Sequence, residues 1–423
     1  MKNTAAFVLA GGRVTDTGAL THRRAKAALP FSGHYRIIDF ALSNLAVSGV
    51  DRVGVLCQFR PMSLMAHIGN GESWGLVGRG REVAVLSPFQ SEGEVDWYHG
   101  TADAVRHNLH FLGDAENVLI VSGDHIYRMD YNRILDAHRA SHADLTMVFK
   151  HLPGSDLSRF GNARIDDSMR VLQYVEKPEK PLSDLGSLTI YLFKRTVLER
   201  YLQRAFETKK DNYHLAVDVI PPVVQEGKVQ AVLLEDYWAF AHSVDTFFES
   251  CMDLLRPEAG LRMNEWEVLT NFERSGIGDV PPAFIGAGAS VEDSRFSPGC
   301  RVLGNVTGSI LSPGVIVEEG ATVVDSVLMH GVTVDKGAAL TRVIADKHTR
   351  IGAGAVCGVR ECAVANTRFP DLHRSGVTVI GRECHVGAGA TVGGNCQLFP
   401  GTGLPAGASL PDGQTVLDGG AQS

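Results

Sequence analysis

The sequence predicts two architectures in series: an α/β domain built on a mostly parallel sheet over residues 1–252, and a left-handed parallel β-helix over residues 283–423. Three observations carry this. Apolar runs without polar alternation, the mark of strands buried on both faces, recur through the first half with helical segments between them. The second half turns to Gly, Ala and Val and loses helical periodicity. Within it, Ile380, Val386, Val392, Leu398, Leu404, Leu410 and Val416 follow one another at a strict spacing of six. That period fits neither a helix nor an ordinary strand. It fits a triangular coil of hexapeptide repeats, each forming one side and turning its aliphatic residue inward.

In chain order, the first predicted strand covers residues 5–10 and ends at Gly11-Gly12, in a loop of small and basic residues that runs to Lys26. Further strands are expected at 53–56, 117–121, 145–149 and 171–175, and helices at 40–48, 101–112 and 131–141. Ligands of such sheets lie beyond the carboxyl ends of strands. Gly11-Gly12 and Gly123-Asp124 fall there. Residues 253–282, with Arg256-Pro257, an isolated Trp266 and Pro281-Pro282, read as a linker. Two hexapeptide blocks then flank an insertion at 358–376 carrying Arg360, Arg368, His373 and Arg374. It is expected to be a solvated loop, the alternative being an anion-binding effector loop.

Composition narrows the function classes. A chain of 423 residues exceeds one ordinary core. A net charge of −8 with no long basic run speaks against a nucleic-acid surface. No stretch approaches the ~20 apolar residues of a membrane helix, and Met1-Lys2-Asn3-Thr4 leads straight into the first strand, as expected of a cytoplasmic protein without a signal peptide. Seven scattered cysteines without a CxxC pair are expected to be free thiols rather than disulfides or a zinc site.

Four stretches can carry chemistry. Gly11 and Gly12 let a backbone approach a phosphate, with Arg24 and Lys26 to balance its charge. Asp124 at a strand end suits Mg²⁺, or a helix N-cap. Tyr98 to Ala104 opens a helix with Gly100 and Thr101, as a base or phosphate site or simply as a capped surface helix. Glu176-Lys177-Pro178 offers a cation for a phosphate, or a charged turn.

Taken in order, AGG, RAK, RIIDFALSN (36–44), WYHGTADAV (97–105), SGDHIY (122–127), EKP and the hexapeptide coil resemble the ADP-glucose pyrophosphorylase (glucose-1-phosphate adenylyltransferase) family from residue 7 to about 356. The linker PPAFI (281–285) is similar too. The resemblance implies a Rossmann-like nucleotidyltransferase sheet and a reaction of ATP with glucose 1-phosphate to ADP-glucose and pyrophosphate, in glycogen synthesis. It implies Mg²⁺, a tetramer, and substrates that are ATP or another nucleotide and glucose 1-phosphate or a related sugar phosphate. By matching motifs, Lys26 is the basic residue of the phosphate loop formed with Gly11 and Gly12, and Asp124 is a metal ligand. Glu176, Lys177 and Ser187 sit where the family holds the sugar phosphate. Tyr98, Gly100, Thr101 and Ala102 flank nucleotide and sugar, and Gln90 keeps an adenine contact beside Phe89, which is usually a second Gln.

The same comparison exposes departures. The family loop GGxGTRL reads here Gly11-Gly12-Arg13-Val14-Thr15-Asp16-Thr17. Val14 puts a β-branched side chain where a glycine stood, and Asp16 puts a negative charge where an arginine stood. Losing one transition-state arginine costs ~10³–10⁵ in rate in other phosphoryl-transfer sites. The second metal motif, YWRDVGT, reads Tyr237-Trp238-Ala239-Phe240-Ala241-His242-Ser243, so Phe240 replaces a ligand carboxylate. The expected function is therefore a catalytically impaired family member acting as a regulatory subunit, in a homotetramer or in a heterotetramer with a catalytic homologue. The alternative is an active sugar-phosphate nucleotidyltransferase with a rearranged loop. An acyltransferase coil using His330, His373 or His385 is a third, weaker reading.

Overall fold

The computed structural model describes residues 1, 3–12, 16–88, 90–91, 94–95, 97–209, 211–275 and 279–417. They form two compact units: Met1–Gly12, Phe40–Pro61 and Ile68–Asp236 in one, and Arg13–Asp39, Met62–His67 and Tyr237–Ser423 in the other.

The first unit is built on a nine-stranded sheet with the backbone order Val171–Glu176, Gly161–Ile165, Leu185–Lys194, Asn117–Ser122, Thr4–Leu9, Arg52–Leu56, Glu82–Leu86. The last four of these run parallel, as their uniformly apolar sequences require. From Leu185–Lys194 onward the pairing turns antiparallel, giving a wing on which Glu176 and Ser187 sit. Leu145–His151 pairs antiparallel with Leu185–Lys194 and parallel with Val229–Leu233. Phe7, Ile120, Phe149 and Phe193 are wholly buried in the core of this unit. The helix expected at 101–112 stops at His107 and resumes as a tight turn over Leu109–Leu112. Asn108 explains the break: its Nδ2 donates back to the Ala104 carbonyl at 2.8 Å and to the Tyr98 hydroxyl at 2.9 Å.

The second unit holds the coil. Three seven-stranded parallel sheets form its sides, the arrangement of a left-handed parallel β-helix. The hexads take their expected places: Ile380, Val386, Val392 and Leu398 lie in the interior, stacked on residues of the preceding turn such as Ala345 and Ile351. Leu404, Leu410 and Val416 are only partly covered, at the end of the described coil.

The insertion at 358–376 corrects one expectation. Arg360, Arg368 and Arg374 are exposed, but Asn366 and His373 are completely buried, so the segment is not a loop given over to solvent. Buried polar groups need partners. Asn366 donates to the Asn395 carbonyl and accepts from the backbone of Arg368 and Phe369. His373 donates through Nε2 to the Val377 carbonyl, and its Nδ1 accepts from Gln397 Nε2 at 3.0 Å. The Gln397 oxygen in turn accepts the Ala19 backbone N–H at 3.0 Å. The turn Gly18–Thr21, which follows the phosphate loop in sequence, is thus fastened to the final coils.

Candidate active site

On the first unit, Gly11 follows the strand Thr4–Leu9, and its backbone runs so close to the next strand that a Cβ would lie 2.9 Å from the Leu56 carbonyl. Glycine is needed there for close approach. Asp124 follows the strand Asn117–Ser122; the Ser122 hydroxyl donates to it, and His125 Nε2 stands 3.7 Å away. It caps no helix among the described residues.

The segment at Tyr98 is more structural than the motif implies. The Tyr98 ring is buried and its hydroxyl accepts from Asn108. Thr101 begins the helix Thr101–His107, with Gly100 just before it, and accepts the Leu215 N–H at 3.0 Å; Ala102 donates its own N–H to the Tyr213 carbonyl. Gln90 lies in the short strand Gln90–Ser91. Its side chain is outside the described residues, as are Arg13, Val14 and Phe89.

The sugar-side residues do come together. Glu176 ends the strand Val171–Glu176, Lys177 follows it in an exposed position with φ 48°, and Ser187 is buried on Leu185–Lys194. Two tyrosines sit between them, Tyr191, which closes the motif that begins at Ser187, and Tyr174, which no motif singled out. The Tyr174 hydroxyl donates to Glu176 at 2.7 Å, and the Tyr191 hydroxyl is 3.3 Å from Ser187 Oγ. Burial raises both phenols, Tyr174 well above its ordinary value and Tyr191 to about 12.

On the second unit Lys26 lies against Phe240. Its ammonium, almost fully buried, lies 4.9 Å over the Phe240 ring, so an aromatic face stands against the cation where the family's motif has a carboxylate. Phe240 stacks between Trp238 and His242, at 6.3 and 5.4 Å between ring centres. These residues alternate along one face of a strand, Trp238–Phe240 and its continuation. His242 Nδ1 is 3.7 Å from Asp16. The substituted residues therefore meet one another: Asp16 pairs with His242, which stacks on Phe240, which covers Lys26.

The Mg²⁺ centre implied by the sequence can be tested on these groups. Mg²⁺ takes oxygen ligands. On the first unit Asp124 offers one carboxylate; on the second, the Phe240 side chain has no atom that could bind the ion, and no group of three or more His, Cys, Asp and Glu capable of holding a metal ion occurs among the described residues.

A second cluster, which the sequence reading missed, is basic. Arg24 forms a fully buried ion pair with Asp346, and Arg36 donates to the carbonyl and hydroxyl of Ser63. Burial, with Arg36 and Arg24 adding repulsion and Arg382 a smaller share, pushes the Lys347 ammonium down to about 7; Arg36 is pushed down to about 10. His330 of the same unit is driven down to about 2, chiefly by burial, which keeps its ring uncharged near neutrality. His373 is enclosed in the network described above, so of the three coil histidines only His385 is exposed. The seven cysteines are all free; burial lifts Cys57 and Cys396 to about 11 and Cys357 to about 12. No helix is long and apolar enough to cross a membrane among the described residues.

Two family models match: nucleotidyl transferase over residues 5–256, and GlmU-like C-terminal hexapeptide over residues 285–380. The glucose-1-phosphate adenylyltransferase of Acetivibrio thermocellus is 35% identical over 405 residues, covering 94% of this chain and 93% of the relative. The chain belongs to the glucose-1-phosphate adenylyltransferase family. Members from Bacillus mycoides and Bacillus anthracis are 40% and 39% identical over 356 residues, covering 83% of this chain and 93% of each relative.

Proposed function

We propose that this chain is a non-catalytic, regulatory member of the glucose-1-phosphate adenylyltransferase family, which retains a sugar-phosphate site and assembles with a catalytic homologue. The observation that carries the reading is the Phe240 ring over the Lys26 ammonium. In an active site of this type Lys26 would face a polyphosphate and the residue at 240 a metal ion. Here the lysine is engaged by a neutral ring, and a carboxylate, Asp16, stands where positive charge would stabilise the departing pyrophosphate.

The basic cluster supports the regulatory part. Lys347 is depressed first by burial and then by repulsion from Arg36, Arg24 and, less, Arg382, with Asp346 the acidic group that counters them there. An anionic effector would offset that repulsion. The intact sugar side favours a second reading, an active enzyme with a rearranged loop. The test is direct. Alone, with Mg²⁺, ATP and glucose 1-phosphate, the purified chain should release no pyrophosphate. Co-expressed with a catalytic homologue, it should co-purify and change that enzyme's response to phosphorylated effectors. Turnover by the isolated chain would establish the second reading, and failure to associate would remove the regulatory one.

A further inference from the structure

We propose that Tyr174 is a positioning residue for Glu176: its buried hydroxyl, admitted by the missing side chain of Gly161, fixes the carboxylate so that its second oxygen is left to the hydroxyl groups of a sugar ligand. This rests on the reading that the sugar side of the site still binds a sugar phosphate.

Tyr174 and Glu176 stand two residues apart on the strand Val171–Glu176 and therefore share a face. The tyrosine ring is buried and the carboxylate half-buried, with 2.7 Å between hydroxyl and Oε2, a length typical of a charge-assisted bond. Directly across the ladder from Glu176 is Gly161. A Cβ there would lie 2.1 Å from the Tyr174 hydroxyl oxygen, so any side chain at 161 would displace the phenol from its carboxylate.

Behind Tyr174 the chain of hydroxyls continues. The Tyr191 hydroxyl is within hydrogen-bonding reach of Tyr174, and Ser187 Oγ is 3.3 Å from Tyr191. An ionised carboxylate only accepts, so Tyr174 donates to Glu176, with Tyr191 behind it bonded in turn to Ser187 and Thr189. Bonds aligned in this way polarise and orient one another. Burial keeps both phenols protonated far above neutral pH, so the last donor persists under all ordinary conditions.

The consequence is a site that presents acceptors. Glu176 Oε1 receives ligand hydroxyls, and Lys177, next in sequence, supplies the charge for a phosphate. The ligand class it fits is a polyhydroxylated ring bearing a phosphate monoester, in preference to phosphate alone. Tyr174 acts only through Glu176.

Tyr174→Phe removes one oxygen atom and keeps the ring. In calorimetric titrations glucose 1-phosphate should bind about tenfold more weakly to the variant, the effect of one lost bond to a charged acceptor, while inorganic phosphate binds as before. Gly161→Ala should give the same split. Crystal structures of the wild type and Tyr174→Phe should show the Glu176 carboxylate displaced in the variant. An unmoved carboxylate, or equal losses for the two ligands, would overturn the positioning role. Should the wild type itself take up no glucose 1-phosphate, the sugar-binding reading falls, and the position of Glu176 in the two crystals decides the role of Tyr174 by itself.

Discussion

The strand around Glu176 and the cluster around Lys26 both hold charged residues that family motifs identify, yet they hold them in opposite ways. At Glu176 the neighbours donate inward and leave an acceptor for something else. At Lys26 the neighbours close on one another, cation on ring, ring on imidazole, imidazole beside carboxylate. On the proposed non-catalytic reading, the difference teaches that a motif residue can survive in sequence while the residues facing it take its chemical role away, Lys26 under the Phe240 ring being the case in point.

The sharpest way to break this contrast is to restore the replaced positions. On the proposed non-catalytic reading, Val14→Gly, Asp16→Arg and Phe240→Asp together should bring measurable pyrophosphate release, a rise of ~10³-fold or more over the unaltered chain if the arginine behaves as in related phosphoryl transfer. A folded but inert triple variant would place further losses outside this cluster. Next in size is the buried pair of the basic cluster. Asp346→Asn leaves Arg24 enclosed without a counter-charge and should cost about 3–5 kcal/mol in denaturant unfolding.

Lys347 gives an intermediate effect with a definite sign. Its folded value is depressed to about 7 by burial and nearby arginines, whereas the unfolded chain holds the proton to the ordinary lysine value of 10.5. Between these limits the unfolded state binds more protons, so stability rises with pH from about 7 upward. Below about 7 the lysine is charged in both states and the cost of its burial is felt in full. Lys347→Met should flatten that slope. An anion in the cluster favours the charged lysine, so sulfate or phosphate should raise the melting temperature more at about pH 6.5 than at about pH 8.5. The smallest effect belongs to the coil surface: removing the Arg350–Asp335 pair by Asp335→Ala should leave the denaturant unfolding midpoint almost unmoved, as for most solvated ion pairs.

Much of this was legible in the residues. The hexads place Val386 and Leu398 inside the coil because a period of six leaves one inward position per side. The apolar run at 117–121 is a central strand because nothing in it suits water. What could not be read was whatever depends on distant partners. The antiparallel wing is set by register between strands whose local sequences look alike. Tyr174 reads as a core residue until Gly161 is found across the ladder. The departure at Phe240 was visible, but its stacking on Lys26, more than two hundred residues earlier, was not. Nor was the fate of His373, since an imidazole in a basic segment looks solvated until its two acceptor and donor partners are known.

The bond between Gln397 and the Ala19 backbone spans 378 positions of sequence. At a synthesis rate of roughly 5–20 residues per second, the turn that follows the phosphate loop leaves the ribosome roughly 20–75 s before its fastener exists. The turn Gly18–Thr21 is therefore among the last segments to acquire its final surroundings, and a truncation upstream of Gln397 would leave it without this bond.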